Sequence, residues 1–291
     1  MGDDLKNTKQ PVSFDWDMHY TCNYRCPYCW CFGKWQQMAE QNKYPALDKI
    51  LKVWENIYQQ HGCAQVGLIG GEPLIYPNIV QLVKGICVFH KVAITTNLSV
   101  EVDDFISQID PSGVYVGGSF HPAFADFNKF LKRAIQLKDK GFGNIISYVA
   151  YPPQLKRLPY YAEEFRQQGF LLSVLTFWGR YNDISYPQGY TNEERAAIAP
   201  YLGIREGEKF QLEPKVVKGR MCCAGQRHAT IKADGTVYRC GGSHSQVIGN
   251  FFQDDFRLLD KPLVCESETC PCNEWAGLIQ DQEIVSVPAQ I

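Results

Sequence analysis

The segment Cys22–Cys29, with the sequence Cys-Asn-Tyr-Arg-Cys-Pro-Tyr-Cys, constrains this chain more than any other feature. Its three cysteines are spaced C-x3-C-x2-C, and thiolates this close in sequence can close a loop around one soft metal centre. A structural zinc site usually has four ligands that come as paired C-x2-C units. A cubane iron–sulfur cluster also takes four ligands, so three cysteines leave one iron open to an outside ligand. The spacing therefore favours such a cluster over a zinc knuckle or unliganded thiols.

This motif resembles the signature of the radical S-adenosylmethionine (radical SAM) enzymes. The resemblance implies that Cys22, Cys26 and Cys29 bind a [4Fe–4S] cluster whose open iron is chelated by the amino and carboxylate groups of S-adenosylmethionine. One electron from the cluster then cleaves the sulfonium, and the resulting 5′-deoxyadenosyl radical abstracts a hydrogen atom from a substrate. The resemblance also implies an electron donor such as flavodoxin or ferredoxin, and it places Tyr28 near the adenine.

Length, charge and cysteine content limit the class of protein. The 291 residues suffice for one large α/β domain and a small appendage. The formal net charge is −2, without a long run of one sign, so the sequence does not predict a nucleic-acid partner. No apolar stretch reaches the roughly 18 residues of a membrane span, and the polar segment Met1–Gln10 lacks a signal-peptide core, which predicts a cytoplasmic protein without a membrane partner. Twelve cysteines in such a chain favour metal or redox use over disulfides.

Strand and helix patterns alternate along most of the chain. The predicted strands are Val12–Tyr20, Ala64–Ile69, Lys91–Thr95, Gly113–Gly117, Asn144–Ala150 and Phe170–Phe177. The predicted helices are Pro45–Gln60, Ile79–Phe89, Val102–Ile109, Phe127–Leu137, Leu158–Gln168 and, from a Thr191/Glu194 capping-box pattern, Tyr190–Leu202. This alternation predicts a parallel sheet with right-handed crossovers. Six strands are too few for a closed eight-stranded barrel, and the resemblance implies an open, partial (β/α)6 TIM barrel over residues 10–203.

Glycines and polar residues follow the predicted strands, where ligands bind in parallel sheets. The strand Ala64–Ile69 is followed by Gly-Gly-Glu-Pro, in which two glycines allow close approach of a backbone and the glutamate can accept from an ammonium. Taken alone, the run also fits an ordinary strand-to-helix turn. It resembles the second signature of the family, which holds the methionine amino group, so the predicted cofactor contacts are Gly70, Gly71, Glu72 and Pro73.

Asn97 and Ser119 each follow a later predicted strand, at positions where related enzymes contact the ribose or carboxylate of the cofactor. Both residue types also cap loops, so loop capping is the alternative interpretation. The sequence does not assign a catalytic side chain.

The C-terminal residues 204–291 are predicted to form a separate, smaller domain. Asp234-Gly235 lies between two runs of alternating hydrophobicity and predicts a β-hairpin with Cys222 before it and Cys240 after it. A structural zinc site or a redox-exposed tail would also fit these cysteines. The pattern C-x12-G-x4-C resembles the auxiliary-cluster domain of the SPASM and twitch radical enzymes, which implies one auxiliary [4Fe–4S] cluster.

The resemblance implies Cys222 and Cys240 as the main ligands of that cluster, and the Cys-x-Ala-Gly phase favours Cys222 over Cys223. Two of Cys265, Cys270 and Cys272 would complete the set, and the C-x-C spacing favours Cys270 and Cys272. The cysteines predicted not to bind a cluster are Cys31, Cys63, Cys87 and Cys223. Of these, Cys63 and Cys87 have apolar neighbours and are expected in the core.

The first predicted function is oxidation, epimerisation or bond formation at an unactivated C–H bond of a small polar molecule. The loop Phe177–Asp183 combines aromatic and hydrogen-bonding side chains, which suits a sugar-like ring, although a packed loop would show the same mixture. The alternative is radical modification of a ribosomally synthesised peptide. From the short segment before the first strand we expect no fused leader-binding domain, which makes this alternative the second choice. A hypothesis of another class is a non-catalytic iron–sulfur or zinc-stabilised binding protein, which would not cleave S-adenosylmethionine.

Overall fold

The computed structural model describes residues 11–203, 212–213, 216–242, 245–270 and 275–279. The strands are β1 (Ser13–Asp17), β2 (Gln65–Ile69), β3 (Lys91–Thr96), β4 (Val114–Phe120), β5 (Ile145–Ala150), β6 (Leu171–Thr176), β7 (Gly179–Tyr181), β8 (Ile184–Tyr186), β9 (Met221–Cys222), β10 (His228–Ile231), β11 (Thr236–Tyr238), β12 (Val247–Asn250) and β13 (Leu263–Val264). The helices are α1 (Trp35–Ala39), α2 (Leu47–His61), α3 (Ile79–Cys87), α4 (Asp103–Gln108), α5 (Phe127–Asp139), α6 (Leu158–Gln167), α7 (Asn192–Ile198) and α8 (Trp275–Leu278). None of the described helices is both long and apolar enough to cross a bilayer.

Strands β1 to β6 form a parallel sheet in chain order, with helices in the crossovers. All six predicted strands and the helices between them are confirmed, with ends displaced by a few residues. The predicted capping box is also confirmed, since the Thr191 side chain accepts from the Glu194 amide and Glu194 accepts from the Thr191 amide. The chain thus has the predicted open α/β architecture.

The core lies between the sheet and the helices. In β1, Phe14 and Trp16 are fully buried, and their rings lie 5.7 Å and 6.1 Å from that of Trp54 on α2. Burying an apolar side chain of this size stabilises the fold by about 2–3 kcal/mol. Because side chains alternate across a strand, the polar residues of β1 lie on the opposite face of the sheet.

That opposite face, here called the open face, is exposed at its centre. Ala93 and Thr95 are exposed although β3 has a strand on each side. Their cross-strand neighbours are small, because Gly67 lies opposite Ala93 and Gly117 lies opposite Thr95. Asp15 borders this floor, and its Oδ1 would be 2.5 Å from a Cβ added to Gly67. Among the described residues, the middle of the sheet is therefore left free for a ligand on this side.

The C-terminal strands extend the same sheet at the edge of β1. The predicted hairpin is confirmed by the antiparallel pair β10–β11, and β12 follows it. Strand β10 pairs in parallel with β1, with His228 opposite Ser13 and Ile231 opposite Trp16. Ala229 and Ile231 are fully buried in the core that also holds Phe14. The hairpin thus follows β6 in sequence but lies beside β1, whose free edge it pairs.

The predicted domain boundary at residues 203–204 borders residues 204–211, which lie outside the described part of the chain.

Cys87 is half-buried on α3, whereas the expectation that Cys63 lies in the core is wrong, because its side chain is exposed where the chain leaves α2. Gly62, with φ at +77°, turns the chain at that point and directs Cys63 outward.

Candidate active site

The three-cysteine loop begins five residues after the end of β1. Cys22 and Cys29 are half-buried, and Cys26 is buried. The amide of Cys29 donates to the Cys26 carbonyl (3.1 Å), and the amide of Tyr24 donates to the Cys22 sulfur (3.4 Å). Amide-to-sulfur hydrogen bonds stabilise thiolates and tune iron–sulfur centres. The donor set and this hydrogen bond fit a cluster held by three cysteines.

Burial and hydrogen bonding shift the pKa values of these three thiols in different directions. Burial raises the pKa of Cys22 and raises the pKa of Cys26 to about 12. A hydrogen bond from the Cys31 thiol lowers the pKa of Cys29. Metal binding therefore has to displace protons from at least the first two thiols.

Gly70 and Gly71 bring the end of β2 against the segment that leads into the cysteine loop. The Gly71 amide donates to the His19 carbonyl (2.6 Å), and the Glu72 amide donates to the Thr21 carbonyl (3.0 Å). A Cβ at Gly70, where φ is +123°, would be 2.5 Å from the His19 oxygen, and a Cβ at Gly71 would overlap the Thr21 oxygen. Glycine is thus required here by the close approach of two backbones.

Glu72 joins the end of β2 to the end of β3. Its carboxylate is buried and accepts from the Thr96 hydroxyl (2.6 Å), the Asn97 amide (2.7 Å) and the Leu74 amide (2.9 Å). Burial raises the pKa of Glu72, and these three hydrogen bonds oppose the increase. Pro73, also buried, starts the following 3₁₀ turn. In this structure Glu72 organises the neighbouring strand end, and contact with a cofactor ammonium stays a prediction.

Asn97 is brought directly to the cysteine loop. Its Nδ2 lies 3.0 Å from Asn23 Oδ1 and 3.7 Å from the Cys22 sulfur. The side chain is buried, and its Oδ1 caps the following turn by accepting from the Ser99 amide (2.9 Å). Loop capping and proximity to the predicted cluster therefore occur together at this residue.

Ser119 lies on the open face of β4. It is in register with Ser147 on β5, and Ser147 is in register with Ser173 on β6. Sequence reasoning missed this row of three serines because the two additional serines lie inside apolar strands. Only the strand register aligns them. Contact of Ser119 with the cofactor stays a prediction.

Tyr28 belongs to an aromatic cluster above the ends of β4 and β5. Its hydroxyl is hydrogen-bonded to His121 Nδ1 (2.9 Å), and the two rings stack with centroids 5.7 Å apart. Tyr24 stacks on Phe124, and the ring of Tyr151 packs against that of Tyr28. Burial lowers the pKa of His121 to about 4, so its imidazole is neutral near pH 7. Sequence reasoning did not assign His121 to the site, although this residue lies shortly after the predicted strand Gly113–Gly117.

The aromatic loop that begins at Phe177 is in part a second hairpin, β7–β8. Its turn residues Asn182 and Asp183 have φ angles of +47° and +61°. Such angles suit a two-residue hairpin turn, and Asn and Asp tolerate them better than most residues. Trp178 is 37% exposed and donates to the Thr176 hydroxyl (3.1 Å). The loop therefore combines packed rings with one accessible indole.

A second group of cysteines forms where β9 pairs with β13. Cys222 lies opposite Leu263, and the Cys265 amide donates to the Arg220 carbonyl (2.8 Å). Burial raises the pKa of Cys222, and the nearby thiols of Cys265 and Cys240 add to this increase. The structure thus places the thiols of Cys240 and Cys265 within electrostatic reach of Cys222.

Cys222 and Cys240 each accept from an amide two residues later, those of Ala224 and Gly242, both at 3.4 Å. Cys22 in the first motif has the same arrangement. Sulfurs of this kind fit iron–sulfur ligation. Among the described residues, no three His, Cys, Asp or Glu side chains converge on a point where one metal ion could sit.

The sequence left open which two of Cys265, Cys270 and Cys272 complete the second site. The structure places Cys265 beside Cys222, although the sequence favoured Cys270 and Cys272. Cys270 is half-buried, and Cys272 lies outside the described residues. The choice between these two stays a prediction.

The two cysteine sites lie at opposite ends of the parallel pair β1–β10. Cys22 follows the end of β1, whereas Cys222 precedes the start of β10. The four residue steps from Ser13 to Asp17 correspond to about 13 Å of strand. The length of β1 therefore separates the two sites along the sheet.

Comparison with known proteins is consistent with this geometry. The sequence model of the Radical SAM superfamily matches residues 17–139, which include the three-cysteine loop, Gly70–Pro73 and Asn97. A GTP 3′,8-cyclase from Acaryochloris marina is 32% identical over 79 residues, which cover 26% of this chain and 24% of the cyclase. A second GTP 3′,8-cyclase, from Rippkaea orientalis, is 29% identical over 33% of this chain and 29% of its own length. The matches thus span only about a quarter of the length of these relatives.

Two solved structures share the fold over most of the chain. SuiB from Streptococcus suis, bound to S-adenosylmethionine, has a TM-score of 0.60 and 14% identity, and the match covers 84% of this chain and 64% of SuiB. The anSMEcpe protein with bound AdoMet has a TM-score of 0.61 and 16% identity, and the match covers 83% of this chain and 78% of that protein. SuiB has also been solved bound to the precursor peptide SuiA, and anSMEcpe with AdoMet and a peptide. At these identities the likeness shows the fold alone.

Proposed function

We propose that this chain, a member of the radical SAM superfamily, removes a hydrogen atom from an unactivated C–H bond of a small polar molecule, with oxidation or epimerisation as the outcome. One observation carries the proposal. The cysteine loop, the Gly70–Gly71 crossing and Asn97 meet at a single edge of the sheet, with Asn97 Nδ2 3.7 Å from the Cys22 sulfur.

The residues at this edge suit the cofactors that the family uses. Cys22, Cys26 and Cys29 would hold a [4Fe–4S] cluster. S-adenosylmethionine would lie against the remaining predicted contacts, Tyr28, Gly70, Gly71, Glu72, Pro73, Asn97 and Ser119. When bound, the two cofactors supply a 5′-deoxyadenosyl radical that takes a hydrogen atom from the substrate. The chain itself positions them, because the hydrogen bonds of Gly71 and Glu72 fix one binding segment against the next.

The open face is the proposed place for the substrate. Its floor at Gly67 and Ala93 leaves room, and its border includes the carboxylate of Asp15 and the hydroxyl of Ser119. Hydroxyl and carboxylate groups favour a polar substrate with hydrogen-bond donors. Lys232, which follows β10, is paired with Asp17 and is therefore not a free cation for the phosphates of a nucleotide such as the GTP of the cyclase relatives.

The second cysteine site would hold one auxiliary [4Fe–4S] cluster. Cys222, Cys240 and Cys265 are the proposed ligands, with Cys270 or Cys272 as the fourth. The amide-to-sulfur hydrogen bonds at Cys222 and Cys240 support this assignment. Its place at the far end of the open face would let the cluster contact a substrate or accept the electron left after hydrogen abstraction.

Radical modification of a peptide is the second candidate. The structural neighbours favour it, because SuiB and anSMEcpe have both been solved with peptides. The exposed centre of the open face would also admit an extended chain. A product search by mass spectrometry, with metabolites of neighbouring genes and with candidate peptides, separates the two substrates.

The proposed function is tested by cleavage of S-adenosylmethionine. After anaerobic reconstitution with iron and sulfide, dithionite should produce 5′-deoxyadenosine. Replacing Cys22, Cys26 and Cys29 together by Ala should abolish this product, whereas the control Cys63→Ala, at an exposed thiol, should retain it. Continued cleavage by the triple variant would refute the cluster assignment. No cleavage by the reconstituted wild-type protein would favour the non-catalytic binding protein.

A further inference from the structure

Arg239 connects the three segments that carry the proposed auxiliary ligands. Its guanidinium donates to the carbonyls of Ala224 (Nε, 3.2 Å), Val264 (Nη1, 3.3 Å) and Leu263 (Nη2, 3.4 Å). Ala224 lies two residues after Cys222, Leu263 and Val264 directly precede Cys265, and Arg239 itself directly precedes Cys240. One planar side chain thus spans all three cysteine segments.

The charge of Arg239 lacks a carboxylate partner in the described part of the chain. The side chain is 9% exposed, and its described partners are three backbone carbonyls. A guanidinium stays protonated in proteins, and carbonyl dipoles offset its desolvation only in part. A buried charge is normally paired, because an unpaired one costs several kcal/mol. The site around Arg239 is therefore suited to a negatively charged centre.

We propose that Arg239 is the positioning residue and counter-charge of the auxiliary iron–sulfur centre. Its three hydrogen bonds hold the segments of Cys222, Cys240 and Cys265 in place, and its positive charge offsets that of the thiolate-ligated cluster. Because reduction adds negative charge to such a cluster, Arg239 raises its reduction potential. This inference rests on the proposed function, since it needs an auxiliary cluster.

Two substitutions separate the hydrogen-bonding geometry of Arg239 from its positive charge. Lysine retains the positive charge but cannot reproduce the planar fork of three donors, whereas glutamine removes the charge. Arg239→Lys should therefore bind less iron at the second site with a potential near that of the parent. Arg239→Gln should lower both iron binding and the potential.

The experiment uses the full chain with Cys22, Cys26 and Cys29 replaced by Ala, so that only the second site can hold a cluster. Iron content and an EPR-monitored redox titration are measured for this parent, Arg239→Gln, Arg239→Lys and the control Arg257→Gln. Arg257 is an exposed residue of the same C-terminal segment that also donates to a carbonyl, that of Phe256 (2.7 Å). The expected result is a midpoint potential shifted to more negative values in Arg239→Gln, and no shift in Arg257→Gln.

The outcomes separate this inference from the proposed function. An iron-free parent would refute the auxiliary cluster and the inference with it. A parent that binds iron, with the same potential in Arg239→Gln, would refute the counter-charge role alone. If Arg239→Gln does not fold, Arg239→Lys decides: reduced iron content with a parental potential supports the inference, whereas parental iron content or a lowered potential overturns it.

Discussion

Lys232, which follows β10, places its Nζ 2.8 Å from Oδ2 of Asp17 at the end of β1. The Asp17 side chain is almost fully buried, and the same ammonium lies 5.9 Å from the ring centroid of Trp30. The pair therefore links the C-terminal strands to the chain five residues before the first cysteine of the radical motif.

Lys232→Met should destabilise the fold by about 2–4 kcal/mol, because it leaves the Asp17 carboxylate buried and unpaired. Removing both charges in Asp17→Asn/Lys232→Met should recover much of this loss. The measurement is the free energy of unfolding in urea under anaerobic conditions. Lys218→Met is the matched control, since its pair with Glu268 is exposed to solvent and should contribute little to stability. Equal effects at Lys232 and Lys218 would contradict this view of the buried pair.

Gly71→Ala should disrupt the radical-cluster site. The added Cβ overlaps the Thr21 carbonyl oxygen, so the end of β2 has to move away from the segment before Cys22. We expect a loss of S-adenosylmethionine binding in equilibrium dialysis and about 2–4 kcal/mol of destabilisation, in the range of overpacking and lost backbone bonds. Gly113→Ala, where the nearest atom to a new Cβ is the Cys87 sulfur at 3.7 Å, should be tolerated. Unchanged cofactor binding in Gly71→Ala would show that this crossing is not needed.

The stability of the fold should decrease as the pH falls from about 6.5 to 4. Burial lowers the pKa of His121 from its usual 6.5 to about 4, so within this window the unfolded chain binds a proton that the folded chain does not. The full effect is about 3 kcal/mol. His121→Gln should flatten the dependence, measured as the free energy of unfolding against pH, and the exposed His61→Gln should not. His19 and His90, whose pKa values burial also lowers, should contribute to the slope that remains.

Cys265→Ser should lower the iron content of the reconstituted chain from about eight to about four atoms, because two cubanes become one. Cys223→Ser should leave it unchanged, since the amide-to-sulfur hydrogen bond marks Cys222 as the ligand of that pair. Iron and zinc analysis of the purified variants provides the measurement. Iron loss in Cys223→Ser with none in Cys222→Ser would show that the assignment is off by one residue. Four irons with zinc in the wild-type chain would indicate a structural metal site.

Much of the fold follows from local patterns. Alternation in β1 and the three- and four-residue spacing in α2 are short-range features, so they predicted the elements before any contact was known. Hairpin β10–β11 was predicted for the same reason, because Asp234-Gly235 specifies its turn. Its place beside β1 was not predicted, because a sequence pattern does not say which free strand edge a distant hairpin will pair.

The sequence alone determined the radical motif, the Gly-Gly-Glu run and the alternation of strands and helices, since each depends on residue type and short spacing. Tertiary structure decided the rest. It turned Glu72 toward Thr96 and Asn97, brought Cys265 beside Cys222, and buried Arg239 among the carbonyls of three separate segments. Those relationships join residues far apart in the chain, and only the register of the sheet and the packing of its edge bring such residues together.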